Sequence, residues 1–520
     1  MTMPRRLLLD ASDLALFDGA TTRRIEQRAA AGLPEHALMA RAGVALLRLA
    51  RAVAPHAREA WIAAGPGNNG GDGLVLATWL HRAGLSVSVT LAGHSPERTL
   101  PADAAWALSE ARAAGVRLRD DVPGAAELAR IGLGVDALLG VGQSRPPEGA
   151  IAAAVAALNA LSVPVLAVDI STGLATDTGA PLGDAVVRAT HTLTLLTAKA
   201  GLFTGDGRDF VGEPWFDDLG VTPLNDERPV AMLTGSRVVA ATWPRRRHVA
   251  NKGSFGDLHV AGGAAGMVGA SLLAAHAASL AGAGRVLVHA HSSDAGGVLP
   301  VDVRHPELML RPVGELQSAL RDNAKATVVA GCGGGDDAGR ELPGCLSNAH
   351  RLVLDADALN AIARDPGLRA QLRARGAAGR PTILTPHPLE AARLLGTDAA
   401  GVQRDRLAAA RRLAADTGAV VVLKGSGTVV AMPDGRAAIN PTGDARLATA
   451  GTGDVLAGWI GGAWSAQPSS ESGVDQAFDV ARAAAWIHGR AAELAPLDRA
   501  PLVAGELAGA MAGALQSLKG

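Results

Sequence analysis

Apolar residues recur along the first part of the chain as short continuous runs, each separated from the next by a stretch with helical spacing. Runs of this kind are typical of parallel strands that are buried on both faces of a sheet. They predict strands at Ala60–Ala64, Leu85–Ala92, Gly134–Leu139, Val163–Ile170 and Thr190–Leu196, with helices at Leu74–Ala83, Ala102–Ala114 and Ala150–Leu161. The predicted fold class is α/β, here as a Rossmann-like three-layer sandwich.

The pattern is interrupted between Val221 and Asn251 by prolines and polar residues, and a second series then begins. The second series predicts strands at Leu258–Ala261, Arg285–Ala290, Ala326–Ala330, Arg351–Asp355, Thr382–Leu384 and Ala419–Lys424, with helices at Gly269–Gly282, Leu359–Ala363, Pro388–Leu395 and Arg404–Thr417. We therefore expect two α/β domains, residues 1–224 and residues 225–520, without an internal repeat between them.

Composition and charge narrow the class of protein. The 520 residues are 48% hydrophobic and 19% charged, and 49 basic residues balance 50 acidic ones. A net charge of −1 argues against a protein that binds nucleic acid or an anionic membrane through its overall charge. The basic cluster Arg245–Arg247 is interpreted as a solvated segment near the domain junction, with an anion or nucleic-acid patch as the alternative.

The cysteine count and the apolar stretches bear on location. Only Cys332 and Cys345 occur, which excludes a disulfide scaffold and a four-cysteine zinc site and favours a reducing, cytoplasmic setting. The leucines near the amino terminus are interrupted by Asp10 and Asp13, so a secretory signal is not expected. The longest uncharged apolar stretch, Val260–Ala275, is too short and too weakly hydrophobic to cross a bilayer.

The glycine-rich segment GPGNNGGDG follows the first predicted strand and opens a helix. Gly65, Gly67 and Gly70 satisfy the GxGxxG pattern of dinucleotide-binding turns, but the next strand ends at Leu91–His94 without the carboxylate that such turns require. A purely structural glycine turn is a second interpretation. The third, which we favour, is a ligand-binding loop in which the polar side chains Asn68, Asn69 and Asp72 stand beside glycines.

Two further carboxylates, Asp136 and Asp169, follow later strands, each beside a glycine-rich turn. Ligands of open parallel sheets bind at the carboxyl ends of the strands, so Asp72, Asp136 and Asp169 are predicted to share one cleft. The segment from Gly140 to Pro146 offers backbone amides and a guanidinium to a phosphate-bearing ligand. Asn69, Asp136 and Thr172 could supply oxygen ligands to a hard cation.

The segment GTGD, Gly451–Asp454, is the most informative stretch of the second half. Its glycines and the amides of the following helix form an anion hole, to which the helix dipole contributes. Asp454 is then placed to take a proton from a substrate hydroxyl, as in phosphoryl transfer by ribokinase-like enzymes. An unremarkable helix start is the alternative. Cys332 has no histidine or base nearby in the sequence and is interpreted as a passive small side chain.

Residues 1 to about 222 resemble the NAD(P)H-hydrate epimerase (YjeF amino-terminal) family through GNNGGDG, DALLGVGQSRP and VDISTG. The resemblance implies a potassium ion at Asn69, Asp136 and Thr172. For a hydrated nicotinamide ring, whose hydroxyl can leave and return, we expect Asp169 to act as the catalytic acid and then as the base. The family has Pro-Ser where this chain has Ser171-Thr172. The implied substrate contacts are Asn68, Asn69, Gly70, Gly71, Asp72, Gly140, Val141, Gly142, Gln143, Ser144, Arg145, Pro146 and Asp169.

Residues 245 to about 515 resemble the ADP/ATP-dependent NAD(P)H-hydrate dehydratases, which are ribokinase-like, through NKGSFGDLHVAGG, VLDADALN, ILTPHPLEAARLLG and VVLKGSGTVV. The family more often reads Gly-Pro-Gly-Leu-Gly where this chain has GCGGGDD. The resemblance implies Asp454 as the catalytic base. The implied substrate contacts are Ala270, Gly335, His387 and Asp454, and the implied nucleotide contacts are Lys424, Gly425, Ser426, Gly427, Thr428 and Gly453.

Together the two resemblances imply repair of hydrated NADH and NADPH. One domain would equilibrate the R and S epimers of NADHX and NADPHX, and the other would dehydrate the S epimer with ADP and Mg²⁺, releasing AMP and phosphate. ADP is expected over ATP because the Ala- and Arg-rich composition is typical of GC-rich bacteria, whose members of the family use ADP. The family also implies a homo-oligomer. The alternatives are a ribokinase-like vitamin-alcohol kinase fused to a non-catalytic nucleotide-binding domain, and a non-catalytic binding module.

Overall fold

The computed structural model describes residues 4–7, 11–95, 97, 99–243, 246–291, 301–468, 473–496 and 502–518. The chain forms two compact units. The first comprises the described residues up to position 10 and Leu14–Met232, and the second comprises Ala11–Asp13 and Leu233–Gly520. The division therefore follows Met232, eight residues beyond the boundary expected from the sequence at 224 and 225, and a short amino-terminal segment joins the second unit.

The first unit contains ten strands and seven α-helices among its described residues. The strands are β1 Arg5–Arg6, β2 Leu14–Phe17, β3 Glu59–Ala64, β4 Ser86–Leu91, β5 Arg117–Arg119, β6 Leu133–Ala137, β7 Val165–Val168, β8 His191–Leu195, β9 Ala198–Lys199 and β10 Glu213–Asp217. The helices are α1 Gly19–Ala31, α2 Ala37–Val53, α3 Asn68–Arg82, α4 Ala102–Ala113, α5 Ala125–Leu128, α6 Gly149–Asn159 and α7 Gly207–Phe210. A further strand, β11 Ala231–Leu233, spans the division between the units.

The sheet of the first unit has the strand order β1-β10-β8-β7-β6-β3-β4-β5 and is parallel except at β1. From β3 the chain proceeds outward through β4 and β5, then returns to place β6 on the other side of β3. The loops after β3 and β6 therefore leave the sheet in opposite directions. Such a switch point opens a crevice at the carboxyl ends of the strands, where ligands bind in sheets of this kind.

Both faces of this sheet are covered, because the side chains of each strand alternate between two separate cores. In β3, Ala60, Ile62 and Ala64 pack into the core that contains α2 and α3. Trp61 and Ala63 pack into the opposite core, against α6. A strand buried on both faces contains apolar residues at every position, which explains the continuous run in the sequence. The predicted three-layer arrangement is confirmed.

The second unit contains nine further strands and twelve α-helices among its described residues. The strands are β12 Asp257–Gly262, β13 Arg285–Ala290, β14 Met309–Pro312, β15 Thr327–Ala330, β16 Arg351–Leu354, β17 Thr382–Leu384, β18 Val420–Leu423, β19 Val429–Ala431 and β20 Ala437–Ile439. The helices are α8 Arg237–Thr242, α9 Val268–Ala281, α10 Leu316–Asp322, α11 Ala338–Asn348, α12 Ala356–Arg364, α13 Pro366–Ala377, α14 Pro388–Leu395, α15 Ala399–Arg404, α16 Arg406–Thr417, α17 Thr452–Ser465, α18 Val474–Leu494 and α19 Ala504–Ser517.

These nine strands follow the order β14-β13-β12-β15-β16-β17-β18-β19-β20. The first seven are parallel, and β19 and β20 continue the sheet as an antiparallel hairpin. The switch point lies between β12 and β15, where the chain reverses its direction across the sheet. The second α/β domain is therefore also confirmed.

Two residues of the segment that interrupts the two apolar series, Trp243 and Arg246, make specific contacts, while residues 246–249 are exposed. The Trp243 indole donates a hydrogen bond to the Ala281 carbonyl over 2.7 Å, and its ring lies 6.1 Å from that of Trp459. The Arg246 guanidinium stacks over the Phe255 ring at 3.9 Å and also donates to a backbone carbonyl. Arg246 therefore has local partners, whereas Arg245 of the basic cluster lies outside the described residues.

Several helices differ from their predicted extents, and two of the differences have a clear local cause. The predicted helix Arg404–Thr417 is broken at Asp405, whose carboxylate accepts a hydrogen bond from the Ala408 amide and so caps a separate helix, α16. The helix after β3 begins at Asn68, inside the glycine-rich motif, and not at Leu74. Within the described residues, no helix is both long and apolar enough to span a bilayer.

A buried histidine pair links β12 and β13. His259 Nδ1 lies 3.0 Å from His289 Nε2, and His289 Nδ1 donates to the Pro312 carbonyl over 3.3 Å. His289 Nε2 must then accept the proton of His259, so both rings are neutral. Burial lowers the pKa of His259 to about 4 and also lowers the pKa of His289.

We expect this pair to make the second unit acid-labile. Between pH 6.5 and 4, His259 binds a proton in the unfolded chain but not in the folded chain. The free energy of unfolding should therefore decrease by about 3 kcal/mol as the pH is lowered from 6.5 to 4. Urea midpoints of the second unit, measured at steps from pH 7.5 to 4.5, check this. The dependence should weaken in His259→Asn and persist in His248→Gln, an exposed control. Equal pH dependence in both variants would contradict it.

Candidate active sites in the two units

The two loops that flank the switch point of the first unit carry the predicted ligand residues. Gly65–Gly67 connects β3 to α3, and the segment that begins at Leu138 follows β6. Gly67 provides no side-chain cap for α3, so the first amides of this helix face the crevice without one. Uncapped amides and the positive end of the helix dipole favour an anion at this position.

Glycine is required in this loop because backbone atoms lie too close for a side chain. A Cβ atom at Gly65 would lie 1.9 Å from the Leu138 carbonyl oxygen, and one at Gly70 would lie 1.8 Å from the Gly65 carbonyl oxygen. At Gly73 a Cβ would lie 2.4 Å from the Ala137 side chain. The glycines therefore let α3 begin directly against β6 and bring Asn69 and Asp72 to the crevice.

Asp136 and Thr172 form a fully buried pair at the ends of β6 and β7. The Thr172 hydroxyl donates to Asp136 Oδ1 over 2.7 Å, and the Thr172 amide donates to Oδ2 over 2.8 Å. Burial raises the pKa of Asp136 to about 6, although these hydrogen bonds oppose the shift. Thr172 Oγ1 also accepts from the Leu139 amide over 3.0 Å.

Asn69 lies at the same turn as this pair. A Cβ atom at Gly140 would lie 3.1 Å from Asn69 Oδ1, and the adjacent Leu139 is bonded to Thr172. Asn69 Nδ2 is buried without a hydrogen-bond partner, so no hydrogen bond within the protein compensates the free energy lost when this group leaves water. The three predicted cation ligands thus surround one two-residue turn, Leu139–Gly140, and offer oxygen atoms only.

Asp169 is held in place by its backbone conformation, a backbone amide and a buried ammonium. Its backbone adopts φ +67°, in the left-handed region, where few residues other than glycine are found. Its Oδ1 atom accepts a hydrogen bond from the Leu195 amide over 3.0 Å and another from the Lys199 ammonium. Lys199 is fully buried and also donates to the Leu195 carbonyl over 2.7 Å. A buried ammonium needs a carboxylate partner, so this ion pair fixes the carboxylate in place.

Asp169 opens into a cleft of about 630 Å³. Four carboxyl groups line this cleft, those of Glu26, Asp72, Asp103 and Asp169. Asn68 and Val141 line it as well. Burial is the main cause that raises the pKa of Asp72 well above its usual value, and the charge of Glu26 contributes. Burial and the charge of Asp169 raise the pKa of Glu26 as well. The cleft therefore favours a ligand that is uncharged or that develops positive charge.

The segment after β6 is anchored at one residue and exposed at its end. Gln143 accepts a hydrogen bond from the Gly173 amide over 2.6 Å and donates to the Ser171 carbonyl over 3.2 Å. Gly142, Ser144, Arg145 and Pro146 are exposed to solvent. Of the predicted contacts in this segment, the structure places Val141 in the cleft, and the exposed residues lie at a solvent-facing edge.

In the second unit the loops after β12 and β15 meet at the switch point. The Gly263 amide donates to the Cys332 carbonyl over 3.0 Å, and the Ala264 amide donates to the Gly333 carbonyl over 2.7 Å. Gly331 and Gly333 have φ values of +110° and +59°, which permit this close approach. A Cβ atom at Gly333 would lie 2.8 Å from the Ala270 side chain, so the predicted contact Ala270 borders this loop.

Lys424 is the central cation of the second site. Its ammonium donates to Asp355 Oδ1 over 2.7 Å, and Thr385 Oγ1 donates to the same oxygen over 2.7 Å. A Cβ atom at Gly453 would lie 3.2 Å from Lys424 Nζ, so the ammonium lies against the first turn of α17. Carboxylates hold the pKa of Lys424 above its usual value, although burial opposes this shift. A positive charge at a helix N-terminus is suited to a polyphosphate.

Asp454 projects from the first turn of α17 toward the same group. Its carboxylate and those atoms of Asp355 and Cys332 that can bind a metal all lie within 4.8 Å of one another. Burial raises the pKa of Asp454 to about 6, and the charge of Asp355 contributes. At neutral pH, Asp454 is therefore an ionised carboxylate with increased basicity, as a general base requires.

The remaining predicted residues of this unit lie around the same strand ends. Thr428 Oγ1 donates to the Gly425 carbonyl over 3.0 Å, which closes a turn with Gly425 at φ +132° and Gly427 at φ +58°. Ser426 is exposed at the tip of this turn. The Gly335 amide donates to Asp357 Oδ2 over 2.9 Å, so Gly335 is placed by the carboxylate of a residue in α12.

His387 caps the N-terminus of α14. Its Nδ1 atom accepts hydrogen bonds from the Leu389 and Glu390 amides over 3.1 and 3.3 Å, so the ring proton is on Nε2. Nε2 lies 3.2 Å from Glu390 Oε1. Burial lowers the pKa of His387 and raises that of Glu390 to about 7. His387 is therefore neutral, and its protonated Nε2 atom lies close to the Glu390 carboxyl group.

Comparisons with protein families agree with this division of the chain. Residues 35–201 match the family of YjeF-related protein amino termini, and residues 258–511 match the NAD(P)H-hydrate dehydratase family. The bifunctional NAD(P)H-hydrate repair enzyme of Escherichia coli is 36% identical over 479 residues, which cover 91% of this chain and 88% of that enzyme. The chain belongs to this family of repair enzymes.

Other similar proteins come from distant organisms. The bifunctional repair enzyme of Leishmania braziliensis is 37% identical over 509 residues, which cover 92% of this chain and 89% of that enzyme. Among solved structures, the ADP/ATP-dependent NAD(P)H-hydrate dehydratase of Bacillus subtilis, co-crystallised with ATP and Mg²⁺, is 28% identical. The match covers 55% of this chain and 98% of the Bacillus subtilis chain, with a TM-score of 0.44.

Three residues of the two candidate sites were missed by the sequence analysis. Lys199 lies on β9 with one glycine two residues beyond it, and its sequence surroundings carry no motif that distinguishes it. Glu26 lies within α1 and reaches the cleft only through tertiary packing. Asp355 follows β16 in the segment VLDADALN, so its position at a strand end was an available signal. Cys332, interpreted as passive, adjoins Asp454.

Proposed function

We propose that the first unit interconverts the R and S epimers of NADHX and NADPHX, and that the second unit dehydrates the S epimer with ADP, yielding NADH or NADPH, AMP and phosphate. One observation supports this most: Lys424 and Asp454 lie at the same helix N-terminus, as phosphoryl transfer to a hydroxyl requires. In the same chain, a second switch-point cleft is lined by carboxyl groups, one of which, Asp169, forms an ion pair with the buried Lys199.

Dehydration by the second unit proceeds in two steps. The hydroxyl oxygen of the hydrated ring attacks the terminal phosphorus of ADP while Asp454 accepts its proton, and AMP leaves with the electron pair of the broken P–O bond. The ring nitrogen lone pair then expels phosphate with the C–O electron pair, and the neighbouring ring carbon loses a proton. Lys424, positioned by Asp355, neutralises charge that develops on the phosphates. Hydroxide leaves poorly, so phosphorylation is the step that makes water removal possible.

The residues beside Lys424 fit the magnesium ion that ADP carries. The carboxylates of Asp355 and Asp454 are hard oxygen donors within 4.8 Å of each other, whereas the Cys332 thiol is soft and unsuited to Mg²⁺. When bound, the ion supplies charge neutralisation of the diphosphate. Asp355 would hold it, in company with the phosphate oxygens, and Asp454 stays free to accept the hydroxyl proton.

Epimerisation by the first unit requires reversible loss of the ring hydroxyl. The ring nitrogen lone pair can expel this hydroxyl, and a water molecule can then add to either face of the flat cation. Asp169 lines the cleft, and its backbone strain and ion pair with Lys199 place it rigidly there. Asp169 is accordingly the residue that handles the proton of the departing or arriving water.

The oxygens around the Leu139–Gly140 turn fit a potassium ion. Asn69, Asp136 and Thr172 offer only oxygen ligands there, and the buried carboxylate of Asp136 has no cationic partner within the described residues. When bound, the ion would supply the positive charge that compensates the burial of Asp136. These three residues would hold it and so fix the segment after β6, which borders the cleft.

We expect Thr172→Val to abolish stabilisation of the first unit by potassium. Removing the hydroxyl deletes one oxygen ligand and one hydrogen bond of Asp136 while it preserves side-chain volume. The melting temperature in KCl should exceed that in LiCl at equal ionic strength for the unmodified chain but not for the variant. Thr176→Val is the matched control, because the buried Thr176 hydroxyl has no hydrogen-bond partner. A potassium effect that survives Thr172→Val would contradict the site.

The proposed function is tested by absorbance at 340 nm on an R and S mixture of NADHX with ADP, Mg²⁺ and K⁺. The unmodified chain should convert the whole mixture to NADH, because epimerisation feeds the dehydratase. Asp169→Asn should convert the S fraction at full rate and leave the R fraction. If neither ADP nor ATP yields NADH and a stable phosphorylated alcohol accumulates instead, the chain is a small-molecule kinase and the proposal is wrong.

A further inference from the structure

Two carboxyl groups of the cleft in the first unit stand in opposite environments. The Asp169 carboxylate accepts hydrogen bonds from the buried Lys199 ammonium and from the Leu195 amide. The Asp72 carboxyl has no hydrogen-bond partner within the described residues, and burial beside Glu26 raises its pKa. Two carboxyl groups that line one cleft in such different surroundings can divide the work of an acid and a base.

A single carboxyl at Asp169 is therefore poorly suited to both proton transfers. Inversion removes the hydroxyl from one face of the ring and adds water to the opposite face, and Asp169 Oδ1 is already occupied by Lys199 and the Leu195 amide. Asp72 supplies a second carboxyl group, without a hydrogen-bond partner among the described residues, for the other face. It lies in the second turn of α3, and the same cleft is lined by both residues.

We propose that Asp72 is the general acid that protonates the departing ring hydroxyl, and that Asp169 is the general base that accepts the proton of the water that adds back. This inference rests on the proposed epimerase function of the first unit. It replaces the assignment of both transfers to Asp169 by a division between two residues.

The proton and electron movements balance without a further reactant. The ring nitrogen lone pair forms a C=N bond as the C–O bond breaks, the C–O electron pair leaves with oxygen, and the Asp72 proton converts it to water. A water molecule then forms a new C–O bond on the opposite face, the C=N electrons return to nitrogen, and Asp169 takes the water proton. Transfer of that proton back to Asp72 through cleft water resets the site, and the reverse reaction exchanges the two roles.

The other carboxyl groups of the cleft support the cationic ring between these steps. Facing Asp72 are Glu26 from α1, Asp103 from α4, Asp169 after β7 and, as the opposing charge, Lys199 from β9. Negative groups in a cleft of low dielectric stabilise positive charge that exists only after the hydroxyl has left. Glu26 also acts as a positioning residue, because its charge disfavours ionisation of its neighbour Asp72.

The test follows C–O bond cleavage directly, on the full chain without ADP so that no dehydration occurs. S-NADHX is incubated in ¹⁸O-labelled water, and label in the recovered hydrate and the R fraction are measured from pH 5 to 9. The unmodified chain should exchange oxygen and epimerise above the spontaneous rate. Both rates should fall at high pH, where the general acid loses its proton, and this fall is the alkaline limb of the pH profile. Asp72→Asn should lower both rates by about 100-fold and abolish that limb.

Two variants separate this role from a structural one. Glu26→Gln removes one neighbouring negative charge, so the alkaline limb should move to lower pH while Asp72 still functions. Asp120→Asn, an exposed carboxylate exchanged for an amide in the same unit, is the control and should leave both rates unchanged. Amide hydrogen exchange of peptides within residues 14–232 that matches the unmodified chain confirms that the first unit of each variant is folded.

The outcomes distinguish the two levels of the proposal. No exchange above background by the unmodified chain would refute the epimerase function itself. Exchange by the unmodified chain together with an unaltered rate and pH profile in Asp72→Asn would leave that function standing and overturn the division of roles. A limb that disappears in Asp72→Asn and shifts in Glu26→Gln supports it, because a packing defect would lower the rate at every pH alike.

Discussion

Replacement of Asp454 by asparagine is expected to lower ADP-dependent formation of NADH from S-NADHX by about 1000-fold, the loss typical of a missing general base. Asparagine preserves the size of the side chain but cannot accept the hydroxyl proton. Lys424 and Asp355 remain in place, so binding of ADP should change little, and the loss should appear in kcat and not in KM. Absorbance at 340 nm under saturating ADP measures it.

The pH dependence of the unmodified chain provides an independent check of Asp454. Burial and the charge of Asp355 raise its pKa to about 6, so dehydration should decline as the pH falls through 6 and the carboxylate takes up a proton. The exposed variant Asp322→Asn is the control and should retain both rate and profile. If Asp454→Asn kept more than a tenth of the rate, another group would have to accept the proton.

Replacement of Lys199 by methionine is expected to destabilise the first unit by about 3 kcal/mol. The change removes the cation of a buried ion pair and leaves the Asp169 carboxylate, which is 13% exposed, without its partner. The lower end of the usual range applies because that carboxylate keeps some contact with water. Amide hydrogen exchange of peptides within residues 14–232 measures the effect in this unit alone, since a chain of two units need not unfold in one transition.

A second substitution distinguishes loss of the ion pair from loss of packing. Lys199→Met combined with Asp169→Asn removes both charges, so most of the lost stability should return relative to Lys199→Met alone. Arg58→Met, at an exposed position of the same unit, should have little effect. Should the double variant prove as unstable as the sum of the two single ones, the charges would not interact as the structure indicates.

The strands could be predicted from the sequence because each is buried on both faces and therefore forms a continuous apolar run. The strand Ala60–Ala64 was predicted for this reason and is observed as part of β3, with Trp61 in one core and Ile62 in the other. The end of α3 was equally clear, but its beginning was not, because a glycine-rich helix start has the composition of a loop. The break at Asp405 depends on a side-chain cap that an apolar pattern does not reveal.

The sequence by itself determined the two α/β units, the strand ends that carry Asp136 and Asp169, the helix start that carries Asp454, and membership in the repair-enzyme family, because these depend on local patterns and contiguous motifs. Only the tertiary structure decided which charges meet. Lys199 is 30 residues from Asp169, and Lys424 is 69 residues from Asp355. Protonation states follow from burial and from such partners, neither of which any local segment encodes. The division of chemistry between carboxyl groups therefore emerges only when the sheet brings the strand ends together.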